Sequence, residues 1–166
     1  MRINPFPGFR PALAASLLAG LLAATPLQAM EVAGVRLDER IRAGSGELQL
    51  NGAGVRSKFF VDIYVGALYV TNRSSSPAAI IDDGDARRIV MHMRRDLDAE
   101  VLTKALEEGL AENHPPAELV ALSPQTAQLA GIMREVGKVA VGDAVAIDFL
   151  ADGIELSVNG AVRGQV

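Results

Sequence analysis

Arg56, Tyr64 and Tyr69 are the residues of this chain best suited to chemistry, and the two tyrosines are the only ones it has. A guanidinium offers a permanent positive charge to a carboxylate or phenolate, and phenol hydroxyls donate further hydrogen bonds. All three lie in the segment 50–70, LNGAGVRSKFFVDIYVGALYV, which is otherwise apolar enough to belong to a core. A few polar groups converging on apolar surface are the usual makings of a ligand cleft.

Strand geometry limits how these groups can meet. Successive side chains of an extended strand alternate between faces, so Tyr64 and Tyr69 point apart unless the strand slips phase, and a β-bulge at Gly66 would provide that slip. At about 3.3 Å per residue, the steps from Arg56 to Tyr64 span roughly 26 Å in a straight strand. Contact between them therefore requires a fold-back or a bend, for which Gly52 and Gly54 supply backbone freedom. In the alternative reading both tyrosines are packed core aromatics with satisfied hydroxyls, and Arg56 is a solvated loop residue.

Other chemistries find little support. His92 and His114 are isolated, with no HxxxH or HxH spacing, and the chain has no cysteine, so neither a metal site nor a thiol nucleophile is expected. Ser74, Ser75 and Ser76 lie outside any G-x-S-x-G elbow, and the glycines near Gly52 follow no phosphate-loop pattern. No cofactor is expected. Acid pairs such as Asp82-Asp83 and Glu107-Glu108 read as solvated surface.

The first 29 residues have a signal-peptide layout. Arg2 and Arg10 precede an apolar run of thirteen residues, 12–24, which Thr25-Pro26-Leu27-Gln28-Ala29 then breaks. That run is shorter than the roughly 20 residues a spanning helix needs, so export to the periplasm is expected, with no stable membrane anchor after cleavage. Residues 30–166 then form one domain with a single core. Losing two arginines and no acids takes the charge from −4 to −6, a balance that does not favour nucleic acid.

The elements that must position the candidate residues follow from periodicity. Segments 32–37 and 47–50 read as a first hairpin around the glycine-containing turn 42–46, and 58–70, rich in β-branched and aromatic residues, reads as one central strand. A helical turn is expected over 78–81 and a strand over 87–95. Asp98 is a cap for a helix reaching about Glu112, with Val101, Leu102, Ala105, Leu106 and Leu110 inward. Pro115 and Pro116 end it, and Ser123 with Pro124 signals a second helix to Val136, striped by Leu129, Ile132, Met133 and Val136. From Asp143 the period changes to two, with turns at Asp152-Gly153 and Asn159-Gly160, which marks an antiparallel meander. The fold class is α+β: an antiparallel sheet with helices packed on one face.

The run Asn51-Gly52-Ala53-Gly54-Val55-Arg56-Ser57-Lys58-Phe59-Phe60, continuing through Tyr64 to Val70, resembles the signature of the bacterial chalcone isomerase-like family. Met93-Arg94-Arg95-Asp96-Leu97, the helix after Asp98 and the strands ending Ser157-Val158-Asn159-Gly160 extend the resemblance over nearly all of residues 31–166. It implies an open-faced sandwich, with a ligand cleft between an antiparallel sheet and its helices. Family members usually continue past the last strand into helices over the sheet, so the fold is expected here without those C-terminal helices.

The resemblance implies two kinds of role. Plant enzymes of the family close a chalcone to a flavanone by attack of a phenolate on an enone, whereas plastid relatives bind fatty acids. In both, an arginine near the start of the motif meets the anionic part of the ligand, and Arg56 matches it. Tyr64 and Tyr69 match polar or aromatic positions of the long strand, although the enzymes have threonine around Tyr64. The enzymes also draw a tyrosine and an asparagine from a helix, and the helices expected here contain no tyrosine and no interior asparagine. The resulting expectation is a binding protein for a fatty acid or similar amphipathic or aromatic anion, with Arg56, Tyr64 and Tyr69 as ligand contacts. An intramolecular lyase acting on a chalcone-like enone is the alternative, and a non-catalytic accessory envelope protein is the third.

Overall fold

The computed structural model describes residues 29–166, and apart from Ala29 the expected signal segment lies outside the described residues. Its centre is a seven-stranded antiparallel sheet, curled, in the order β11-β10-β9-β6-β5-β4-β3. The strands are β3 (Arg40–Ala43), β4 (Gly46–Lys58), β5 (Val61–Val70), β6 (Arg87–Met93), β9 (Ala144–Leu150), β10 (Gly153–Val158) and β11 (Ala161–Gln165). A separate hairpin, β1 (Ala29–Val32) and β2 (Val35–Asp38), and a short ladder of β7 (Leu97–Asp98) with β8 (Lys138–Val139) complete the strands. The helices are α1 (Pro77–Asp82), α2 (Ala99–Asn113) and α3 (Pro116–Val136).

Alternation along the strands gives the sheet two buried faces. On one, Met93, Val145, Leu156 and Val158 pack under Leu102 of α2 and Leu129 and Met133 of α3, with Tyr64 at the margin. On the other, Leu48, Leu50, Val65, Ala67 and Tyr69 pack with Leu37 of the β1–β2 hairpin. The helices cover the β9-β10-β11 half of their face closely. A Cβ on Gly164 of β11 would come within 2.7 Å of Ile132, so only glycine permits that approach.

The expected meander, the helical turn, the strand after Ala86 and the helix after Asp98 are all present. Four expectations are corrected. The single first hairpin is two hairpins, because Ala33 and Gly34 both adopt positive φ and turn β1 into β2 before β3 begins. Strand 58–70 is broken at Phe59-Phe60, whose φ values of 49° and 64° reverse the chain between β4 and β5. Val101 and Ala105 are exposed, because the stripe of α2 that faces inward runs through Ala99, Leu102, Thr103 and Leu106.

The fourth correction concerns Ser123 and Pro124, which lie inside α3; that helix begins at Pro116. A proline there removes the N–H that would bond the Val120 carbonyl four residues back. The Ser123 hydroxyl donates to that same carbonyl at 2.9 Å, so the acceptor is not orphaned and the helix runs on.

One buried charge ties the sheet together across its strands. Asp148 of β9 is inaccessible to solvent and holds Arg88 of β6 through two hydrogen bonds of 2.5 and 2.6 Å, while Arg88 also donates to the Arg42 carbonyl at 3.1 Å. Removing one partner of a buried pair leaves an uncompensated charge, which costs about 3–5 kcal/mol, whereas replacing both by apolar groups is often nearly neutral. Arg88→Met is therefore expected to lower unfolding stability by about that 3–5 kcal/mol in denaturant titrations, and Arg88→Met with Asp148→Leu to regain most of the loss.

Candidate functional site

The reversal at Phe59-Phe60 sets the register of β4 against β5 so that Arg56 lies directly opposite Tyr64. Val55 pairs with Val65, Gly54 with Gly66, Ala53 with Ala67 and Gly52 with Leu68. The fold-back that brings Arg56 to Tyr64 is this hairpin, and it lies at Phe59-Phe60 rather than at Gly52 or Gly54. The pairing runs unbroken through Gly54 and Gly66, so no bend or bulge forms at either; the register shifts lie at Leu50/Gly52 and Arg56/Ser57. Just beyond the pair, the Ser57 hydroxyl donates to the Asp62 carboxylate at 2.8 Å.

Residues directly opposite one another share a face, so Arg56, Gly54 and Gly52 form one row beside Tyr64, Gly66 and Leu68. This is the face that carries the helices, because Tyr64 joins the cluster beneath α2 and α3. Its floor is made of backbone. A Cβ on Gly52 or Gly54 would meet nothing within 4 Å, and one on Gly66 would sit 3.4 Å from the Tyr64 ring, which leans over it. The outcome is a shallow, exposed trough, a side-chain-free row of the sheet surface, and the four steps from Tyr64 to Leu68 make it roughly 13 Å long.

At the Leu68 end the trough meets a pocket of about 690 Å³ under α1, lined mainly by Leu68, Pro77, Ile80 and Ile81, with Arg73 and Ser74 at its polar side. The elements around it are pinned locally. The Asn51 side chain accepts from the Ser74 backbone at 2.9 Å, and the Ser76 hydroxyl caps α1 by accepting from Ala79. Arg73 was not singled out in the sequence, where it stands beside Ser74, Ser75 and Ser76 in a polar stretch. The one signal available was a cation within a loop that follows the motif strand.

Arg56 is exposed and makes no ion pair among the described residues, so its charge is free to meet a ligand. Tyr64 is half-buried beside it. Tyr69 does not join them. It lies on the opposite face, only 2% exposed, within the cluster of Leu37, Leu48 and Val65. There burial pushes its hydroxyl above the ordinary pKa of 10.0, Asp38 adds to the rise, and Arg88, its cross-strand neighbour, opposes it.

His92 shares that face, opposite the fully buried Val65. Burial lowers its pKa from 6.5. Among the described residues no group of three or more His, Cys, Asp or Glu is placed to hold a metal ion.

A curled antiparallel sheet with helices on one face, and an exposed glycine row headed by an arginine, defines an α+β class of open-faced sandwich. The chain belongs to the chalcone isomerase-like family, whose model matches residues 29–166. It is similar in structure to a fatty-acid binding protein of Arabidopsis thaliana, with a TM-score of 0.64 and 13% identity over 84% of this chain and 82% of that one. No curated protein matches the sequence.

The depressed pKa of His92 has a consequence for stability. The unfolded chain binds a proton near pH 6.5 while the folded chain still resists it, so stability is full above that value and declines as pH falls through the folded value. Thermal melts recorded from pH 7 downwards should show this decline, and His92→Gln should flatten it.

Proposed function

We propose that this protein is exported to the periplasm and binds a fatty acid or similar amphipathic anion in the trough. The observation that carries this reading is the pairing of Arg56 with Tyr64 at one end of an exposed glycine row whose other end adjoins a largely aliphatic pocket at Leu68. The ligand carboxylate accepts from the Arg56 guanidinium and the Tyr64 hydroxyl, and its acyl chain lies over Gly54 and Gly66 towards Leu68 and Ile80. Export rests on the layout of residues 1–29, and the cysteine-free sequence needs no disulfide in that compartment.

Two features weigh against the isomerase reading. Both tyrosines belong to β5, so neither α2 nor α3 contributes one, and the asparagine of α2, Asn113, is the terminal residue and donates to the Gly109 carbonyl. Tyr69, facing the other core, cannot polarise a carbonyl held beside Arg56.

Gently purified protein is expected to carry a co-purified fatty acid in native mass spectrometry. A charge-assisted hydrogen bond contributes about 1.5–3 kcal/mol, so Arg56→Ala should weaken dodecanoate binding by roughly ten- to a hundredfold in calorimetric titration. Apo protein throughout, with unchanged affinity in the variant, would sink the proposal. Gly54→Leu should also lower affinity, because its side chain fills the trough, while leaving stability unchanged or raised by about 0.5–1 kcal/mol as strand glycine is replaced.

A further inference from the structure

The tip of the β4–β5 hairpin is built against the usual rules for a two-residue turn. Such turns favour Asn-Gly because both central residues take positive φ, a conformation in which a bulky residue is an outlier. Here both positions are phenylalanine, at φ 49° and 64°. Phe59 is 85% exposed and Phe60 is fully exposed at 106%, so neither ring is held by packing into a core. The backbone strain is thus spent on presenting two adjacent aromatic rings to the surroundings.

The hairpin also stands clear of the sheet. Regular pairing with β6 stops at Tyr64, and beyond it only the Arg94 amide reaches β5, donating to Ile63 at 2.8 Å. Residues 57–62 pair only with one another.

Cations lie at and behind this end. Lys58 holds its ammonium 6.0 Å from the Phe59 ring centre and Arg56 precedes it by two residues, while Arg94, whose guanidinium lies beside Gly34 of the β1–β2 turn, and Arg95 follow directly on β6; all four are exposed. Two acids lie nearby: Asp62, which accepts from Ser57 and keeps its charge, and Asp96, which binds Lys138 and the Val141 amide, so the four cations Arg56, Lys58, Arg94 and Arg95 outnumber them. The protein as a whole is acidic, with a net charge of −4. An anionic surface would therefore repel most of the molecule and attract this tip.

We infer that the Phe59-Phe60 hairpin docks on the surface of an anionic lipid bilayer, its rings inserted at the headgroup boundary and its cations against lipid phosphates. Aromatic rings are favoured at that boundary, and each basic side chain near an anionic leaflet adds attraction that salt weakens. The tip adjoins the Arg56 end of the trough, so docking brings the cleft mouth to the membrane. The inference stands whether or not the cleft holds a ligand.

The test compares the mature chain with the double variant Phe59→Asn/Phe60→Gly, which gives the turn its preferred residues and so keeps the hairpin folded. Sedimentation uses vesicles of equal parts phosphatidylglycerol and phosphatidylethanolamine, and separately phosphatidylcholine alone. The wild-type chain should bind the anionic vesicles in a salt-sensitive manner, and the variant should bind at least about tenfold more weakly, the change expected from losing a buried phenylalanine, with an unchanged or higher melting temperature. Lys58→Glu should weaken binding to the anionic vesicles while leaving the phosphatidylcholine result unchanged. Three results would each overturn the inference: wild-type chain left in the supernatant, equal binding by the Asn-Gly variant, or a dimer in analytical ultracentrifugation that the variant abolishes without vesicle binding. The last would assign the rings to a second copy of the chain.

Discussion

The register of β4 against β5 is the constraint from which the site follows. Because side chains alternate with a period of two, a slip of one residue would send Arg56 to the face opposite Tyr64 and turn the glycine row away from the trough. Two features of the sheet hold the register in place. Leu50, Val65, Ala67 and Tyr69 must all reach the buried face beneath the β1–β2 hairpin, and the opposite face must leave room for α1 over Leu68. Tyr69 thus supports the site from behind: its burial orients Tyr64 outward on the other side of the same strand.

The two faces differ in how completely they are covered. The buried Arg88–Asp148 pair, Tyr69 and His92 all concern the hairpin-covered side and the seam between β6 and β9. The helix-covered side is packed over β9, β10 and β11 and left open over β4 and β5. The three glycines of the open part, Gly52, Gly54 and Gly66, are poor strand formers that a purely structural sheet would replace, and their absence of side chains is what makes the trough.

The legible parts of the sequence were those where local pattern and tertiary demand agree. Alternation in β9 and β10, the turn at Asn159-Gly160 and the stripe through Leu102 and Leu106 could be read directly. The reversal at Phe59-Phe60 could not, since two phenylalanines announce a strand and nothing local asks for left-handed backbone. Pro124 misled in the other direction, because the serine hydroxyl that rescues the Val120 carbonyl makes an interior proline tolerable. The partnership of Arg88 with Asp148, sixty residues apart, is a product of strand order and has no local signature. Of the three candidate ligand contacts, spacing made contact between Arg56 and Tyr64 conditional on a fold-back or a bend but offered Gly52 and Gly54 for it, not Phe59-Phe60, and alternation set Tyr69 on the face away from Tyr64.

The central claim is that Arg56 and Tyr64 form the polar head of a channel for an amphipathic anion. A crystal structure of the protein with dodecanoate tests it most directly. The account predicts the carboxylate within hydrogen-bond distance of the Arg56 guanidinium and the Tyr64 hydroxyl, with the chain over Gly54 and Gly66 towards Leu68. A carboxylate seated on Arg73, with the chain running the other way, or a trough empty at saturating ligand, would contradict it.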